Sequence, residues 1–256
     1  MITKRVEFEN NNSEILQGVL RIPDEQGVFP AVIICHTFHD NKDNDLIFSL
    51  WDDLSRAGFV CLRFDFSGRG ESQGDFKNLT ISQEINDLKA AFNFLDRHEQ
   101  VDSDRIGILG HSMGGIDAIL FAAKHKKTAS IAALSTRSDT KEFIDSYFDD
   151  YQQKLWKQRG YVQMHNMSEI SADFLRDAEK HSITEEIKKI ECPILMVHGT
   201  DDTRVPFEDA RELFNHAKEQ KKLELIEGAD HHFTAGAHRQ ELLDAVIGWF
   251  NRTLKP

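Results

Sequence analysis

Apolar residues along this chain fall into two rhythms, one of alternate positions and one near the helical repeat of about 3.6 residues. Two alternating segments open it, Ile2–Phe8 and Glu14–Ile22. The polar Asn10-Asn11-Asn12 between them predicts an antiparallel hairpin. Short β-branched runs follow at Ala31–His36, Phe59–Phe64, Arg105–Leu109, Ser130–Leu134, Pro193–Val197 and Leu223–Ile226. Amphipathic helices fall between them. In the clearest, Ile81, Ile85, Leu88, Phe92 and Leu95 recur at three- and four-residue steps and so share one face. Leu46–Ala57, Met113–His125, Phe207–Lys218 and Arg239–Leu254 read as further helices. Strands alternating with helices predict an α/β fold, a mostly parallel eight-stranded sheet wound by right-handed crossovers. Runs that are apolar on both sides need helices on both faces.

One stretch breaks the alternation. Residues 136–190 carry no strand-like run and read as mostly helical. They divide the chain into a core, 1–135 and 191–256, and an inserted cap. All three tyrosines, Tyr147, Tyr151 and Tyr161, lie in the cap. Trp156, Phe143, Phe148, Phe174, Met164 and Met167 accompany them. Part of this aromatic content is expected to pack on the core. The rest suits a lid over an acyl or aromatic pocket, with Tyr147, Tyr151, Trp156 and Tyr161 as candidate substrate contacts.

Composition narrows the function classes. A net charge of -12 with scattered basic residues argues against nucleic acid as a partner. Met1–Leu20 is interrupted by Lys4, Arg5, Glu7 and Glu9, so no secretory signal is expected there. The apolar run near Ala31–Cys35 is too short to span a bilayer, so no membrane role is expected. Cys35, Cys61 and Cys192 give an odd count without CxxC spacing, which favours core thiols in a reducing cytoplasm. The histidines are dispersed, and no H-E-x-x-H or cysteine cluster exists, so neither a metal nor a cofactor is expected. The expected partner is a small-molecule substrate, and the sequence is compatible with a homodimer.

The chemistry sits at strand ends. Ile106–Gly115 reads as strand, sharp turn and helix, with Gly110, Ser112 and Gly114 forming G-x-S-x-G. A nucleophile at such a turn takes a strained backbone, and its neighbours must be small. The turn also sets Ser112 at a helix N-terminus, where N–H groups favour a developing oxyanion. A serine hydroxyl needs a base oriented by a third group, in the chain order Ser, acid, His. His198-Gly199-Thr200-Asp201-Asp202 follows one strand, and Gly228-Ala229-Asp230-His231-His232-Phe233 follows the next. Open α/β sheets build their sites at such carboxyl ends.

With Arg63-Phe64-Asp65-Phe66-Ser67-Gly68-Arg69-Gly70-Glu71-Ser72 added, these motifs resemble the α/β-hydrolase superfamily over essentially the whole chain. The chain is similar to bacterial cinnamoyl (feruloyl) esterases and related serine hydrolases. The resemblance implies a catalytic triad of Ser112, Asp202 rather than Asp201, and His231 rather than His232. It implies oxyanion donors at the N–H groups of Met113 and Phe38. Thr37 stands where the family usually has glycine, so a differently shaped loop is expected there. His36 and His39 read as loop-packing residues, and Arg63–Ser72 as a structural loop bordering the site. The implied reaction is hydrolysis of a small to medium carboxylic ester, with an aromatic acyl group among the candidates. Thioesterase, monoacylglycerol-type lipase and serine peptidase activities are the rivals. A non-catalytic ligand-binding protein on the same scaffold is the rival of another class. Serine at the elbow argues against epoxide hydrolase and haloalkane dehalogenase variants, which need aspartate there.

Overall fold

The computed structural model describes residues 1–164 and 168–255. Its strands are β1 (Ile2–Glu9), β2 (Ile15–Ile22), β3 (Phe29–Cys35), β4 (Val60–Phe64), β5 (Val101–His111), β6 (Ser130–Leu134), β7 (Tyr161–Gln163), β8 (Glu169–Ser171), β9 (Ile194–Gly199) and β10 (Lys221–Ile226). Eight of them form one sheet in the order β1-β2-β4-β3-β5-β6-β9-β10. Strand β2 is antiparallel to β1 and to β4, and the remaining pairings are parallel. The fold is that of an α/β-hydrolase, as the sequence motifs imply.

Side-chain alternation separates two cores. In β3, Ile33 faces one cluster while Val32 and Ile34 face the other. Helices α1 (Asp45–Arg56) and α9 (Gly236–Leu254) cover the second face through Leu50, Trp51, Val246 and Phe250. Helices α2 (Ile81–Asp96) and α3 (Met113–Lys124) cover the first through Leu88, Phe92, Ile116 and Leu120. Each buried large apolar side chain contributes roughly 1.5–3 kcal/mol. Helix α2 starts at Thr80, whose side chain caps the Gln83 N–H at 3.0 Å.

Some boundaries differ from the periodicity. Strand β5 begins at Val101 rather than Arg105, because pairing with Phe29 extends it through the polar Asp102-Ser103-Asp104. A register shift between Phe29 and Ala31 accommodates this extension.

Between β6 and β9 lie α4 (Thr140–Tyr147), α5 (Asp150–Arg159), the antiparallel pair β7–β8, α6 (Asp173–Ala178) and α7 (Ile183–Ile187). The hairpin is absent from the sequence reading, since strands of three residues are too short to show alternation. Met167 lies outside the described residues. The thiols of Cys35 and Cys61 are buried, that of Cys192 is half-buried, and all three are unpaired. Among the described residues no helix is long and apolar enough to cross a membrane.

Candidate active site

The end of β5 and the start of α3 bring the backbone into a tight elbow. Ser112 sits at its tip with φ 55° and ψ -112°, a region that non-glycine residues rarely adopt. Its N–H donates to the Leu134 carbonyl at 2.8 Å, which pins the elbow to β6. The flanking glycines are required by approach distance. A Cβ on Gly110 would lie 2.0 Å from the Gly114 carbonyl oxygen. One on Gly114 would lie 2.6 Å from the Cys35 carbonyl oxygen. Gly110→Ala is therefore expected to lower stability by at least roughly 1–3 kcal/mol, because backbone rather than a movable side chain must give way. A urea unfolding midpoint equal to wild type, with equal turnover, would show that the elbow tolerates a side chain.

The loops after β9 and β10 meet beside the elbow. His231 Nδ1 donates to Asp202 Oδ2 at 2.7 Å. Asp202 Oδ1 accepts the backbone N–H groups of Arg204 and Val205, both at 2.9 Å. The sequence motifs assign His198 no role, yet its Nε2 lies 3.2 Å from the same Asp202 Oδ2 and 3.0 Å from the Val205 carbonyl. Both neighbours are acceptors, so Nε2 carries the proton. Burial pushes the Asp202 carboxyl up, but hydrogen bonds from His198 and His231 outweigh it and hold it well below the usual carboxylate range. His111, just before Ser112, donates from Nε2 to the His231 carbonyl at 2.9 Å. This bond ties the elbow to the histidine loop. Burial, with His231 and His232 nearby, keeps His111 uncharged. Phe233 continues the loop at φ 50° and is fully buried, so packing holds a second strained residue next to the histidine. Ser112 and His231 are not hydrogen-bonded to each other in this structure.

The loop after β3 lies on the other side of the elbow. His36 Nδ1 donates to the Thr37 carbonyl at 2.8 Å, and its Nε2 accepts the Phe66 N–H at 3.2 Å. Burial and then Arg69 push its pKa down to about 3, so a neutral His36 with one fixed tautomer shapes the loop. Thr37 does not take a positive φ, which is why threonine fits where glycine is usual. Arg69 Nη1 donates to the Phe38 carbonyl at 3.2 Å and pairs with Glu84, so the Arg63–Ser72 loop braces this segment from below. The Met113 N–H is the first of α3 and has no intrahelical acceptor.

A cavity of about 580 Å³ opens on Ser112, and Phe143 and Tyr147 of α4 line it. The Phe38 ring lies 5.4 Å from that of Phe143 and 5.1 Å from that of Tyr147, so α4 packs on the loop after β3. Of the four aromatic candidates, Tyr147 reaches the cavity. Trp156 is fully buried, stacked 6.0 Å from Phe174, in the core cluster that also holds Phe38 and Ile116, and it does not line the cavity. Tyr151 and Tyr161 are exposed, at 69% and 38%. Arg137 and Arg204 also line the cavity, and the sequence reading singled out neither. Among the described residues no group of three or more His, Cys, Asp or Glu could hold a metal ion.

Residues 48–256 match the prolyl oligopeptidase family. An uncharacterised 31.7 kDa protein of the traX–finO intergenic region of Escherichia coli is 25% identical, over 94% of this chain and 97% of that one. Human mitochondrial palmitoyl-protein thioesterase ABHD10 is 22% identical, over 71% of this chain and 60% of its own length. Among solved structures, Est1E of Butyrivibrio proteoclasticus with ferulic acid bound is similar with a TM-score of 0.83. It is 20% identical, and the match covers 98% of this chain and 100% of that one.

Proposed function

The chain belongs to the prolyl oligopeptidase family and has the α/β-hydrolase fold, and from that premise we propose that it is a serine carboxylic-ester hydrolase with Ser112, Asp202 and His231 as its triad. The observation that carries this reading is the 2.7 Å Asp202–His231 bond beside a strained serine elbow. Asp202 accepts the Nδ1 proton and so leaves Nε2 of His231 as the basic nitrogen. His231 takes the Ser112 Oγ proton as Oγ bonds to the ester carbonyl carbon. The oxyanion is met by the N–H groups of Met113 and Phe38. Collapse of the tetrahedral intermediate breaks the bond to the leaving alcohol, which receives the proton from His231. Water, deprotonated by His231, then attacks the acyl-enzyme and releases the acid, and the proton returns to Ser112.

Residues 136–190 act as a lid in this reading, supported by Phe143 and Tyr147 in the cavity wall. A medium or aromatic acyl group fits beneath them, and ferulic acid in the related Est1E supports that substrate class. The unpaired thiols support a reducing, cytoplasmic setting. A second reading, peptide or amide hydrolysis, is favoured by the family match. Both are tested by one panel: 4-nitrophenyl esters of graded chain length, methyl ferulate, an acyl-CoA and a peptide 4-nitroanilide. Turnover of esters, absent in Ser112→Ala, supports the first reading. Cleavage of the anilide alone supports the second.

His231→Ala is expected to lower ester turnover by about 10³-fold or more, whereas His232→Ala stays within a few-fold of wild type. His232 is half-buried with its ring 5.1 Å from that of His231, and it makes no bond to Asp202. Steady-state kinetics with the best ester of the panel decides it, and the reverse ranking would overturn the assignment of the base.

A further inference from the structure

The charge in the wall of the catalytic cavity has one sign. Arg137 and Arg204 line it together with Ser112, and no acidic residue does among those described. The two guanidinium groups differ in their surroundings. Arg137 is buried, and its Nη1 lies 3.1 Å from Asp209 Oδ2 and 3.5 Å from Glu142 Oε2. Its Nη2 donates to the Arg204 carbonyl at 3.0 Å, while its buried Nε has no partner. Asp209 therefore balances the Arg137 charge.

Arg204 is not balanced. It is exposed, and among the described residues its side chain forms no ion pair. The carboxylate two residues before it, Asp202, is committed to His231 and His198. Yet its backbone is pinned on both sides, the N–H by Asp202 Oδ1 at 2.9 Å and the carbonyl by Arg137. The acid of the triad thus sets the point from which this cation extends. Around it the protein carries a net charge of -12, so an uncompensated cation here makes a local positive spot in a repelling field. Phe143, Tyr147 and Val205 line the same cavity and give the rest of a bound anion an apolar surface beside Arg204. A guanidinium offers paired N–H donors that match a carboxylate.

We propose that the substrate cleaved at Ser112 is an anionic ester, whose carboxylate pairs with Arg204 at the cavity wall. The proposal rests on the serine-hydrolase reading. The carboxylate lies on the acyl side or on the leaving-group side, and paired substrates separate the two. For the acyl side, the 4-nitrophenyl monoester of adipic acid is compared with the 4-nitrophenyl ester of adipamic acid. For the leaving group, 4-acetoxybenzoate is compared with 4-acetoxybenzamide. Each pair differs by one charge at nearly equal size.

With uncatalysed hydrolysis subtracted, wild type is expected to prefer the anion by roughly 10- to 100-fold in kcat/KM in one of the pairs. The preference falls toward one in Arg204→Gln and survives in part in Arg204→Lys. It also shrinks in about 0.5 M NaCl, as a partly exposed ion pair should. Arg204→Gln is expected to melt with wild type, since the side chain anchors nothing. A ratio near one in both pairs, or a ratio that Arg204→Gln leaves intact, overturns the proposal. If no ester of either pair is cleaved, fluorophosphonate labelling of Ser112 replaces turnover as the readout. Protection by adipate but not by adipamide, lost in Arg204→Gln, supports the proposal, and equal protection overturns it. No labelling of folded protein rejects the serine-hydrolase reading itself, and this proposal with it.

Discussion

Ser112→Ala is expected to lower kcat on the best ester by roughly 10⁴- to 10⁶-fold while leaving the fold intact. In the proposed mechanism the hydroxyl oxygen is the atom that bonds to the acyl carbon, so its removal deletes the covalent route rather than weakening it. What survives is the contribution of the oxyanion donors and of binding, roughly 10³- to 10⁴-fold over water. Stability should change little. The Ser112 side chain caps nothing in α3, and the bond that pins the elbow comes from its backbone N–H. Alanine must also hold the strained φ of 55°, at a cost similar to that of serine. Two measurements check this, turnover and mass-spectrometric detection of a fluorophosphonate adduct. Wild type is expected to carry one adduct on Ser112 and the variant none. Turnover within tenfold of wild type would remove Ser112 from the mechanism.

The elbow was readable because its causes are local. Strand, glycine, serine, glycine and helix lie within ten residues, and the approach distances at Gly110 and Gly114 explain why those residue types stand there. The sheet was readable for the same reason, since periodicity in β3, β4 and β6 reflects burial on both faces. What stayed hidden depends on contacts between distant segments. His198 lies within a motif, but its bond to Asp202 exists only once the loop after β9 folds back. Arg137 reaches Asp209 across 72 residues of sequence, through the cap and β9. The cap shows the limit of composition most directly. It concentrates aromatics, yet Trp156 is buried in the core cluster of one sheet face while Tyr147, nine residues earlier, reaches the cavity. Aromatic content signals burial without saying against what.

Asp202→Asn separates orientation from structure and is expected to lower kcat/KM by about 10⁴-fold. Asparagine keeps the Oδ1 acceptor that holds the N–H groups of Arg204 and Val205. The loop therefore keeps its shape. At the other position an NH₂ replaces Oδ2 and presents donors to His231 Nδ1 and His198 Nε2. His231 must then move its proton to Nε2, the nitrogen that accepts from Ser112 in the proposed mechanism. His198 is left with a single acceptor, the Val205 carbonyl. Asp201→Asn is the control. Asp201 is exposed and holds the Ala229 carbonyl through its backbone N–H, so that variant should stay within a few-fold of wild type. The pH dependence of stability provides an independent reading. The folded Asp202 carboxyl is held below its usual value, so its contribution is present above the unfolded carboxylate range near pH 4. It is lost only as pH falls toward the depressed folded value. The stability gap between wild type and Asp202→Asn should therefore be widest at neutral pH and close on acidification. A gap that does not vary with pH, or an Asp202→Asn enzyme within tenfold of wild type, would show that another group orients His231.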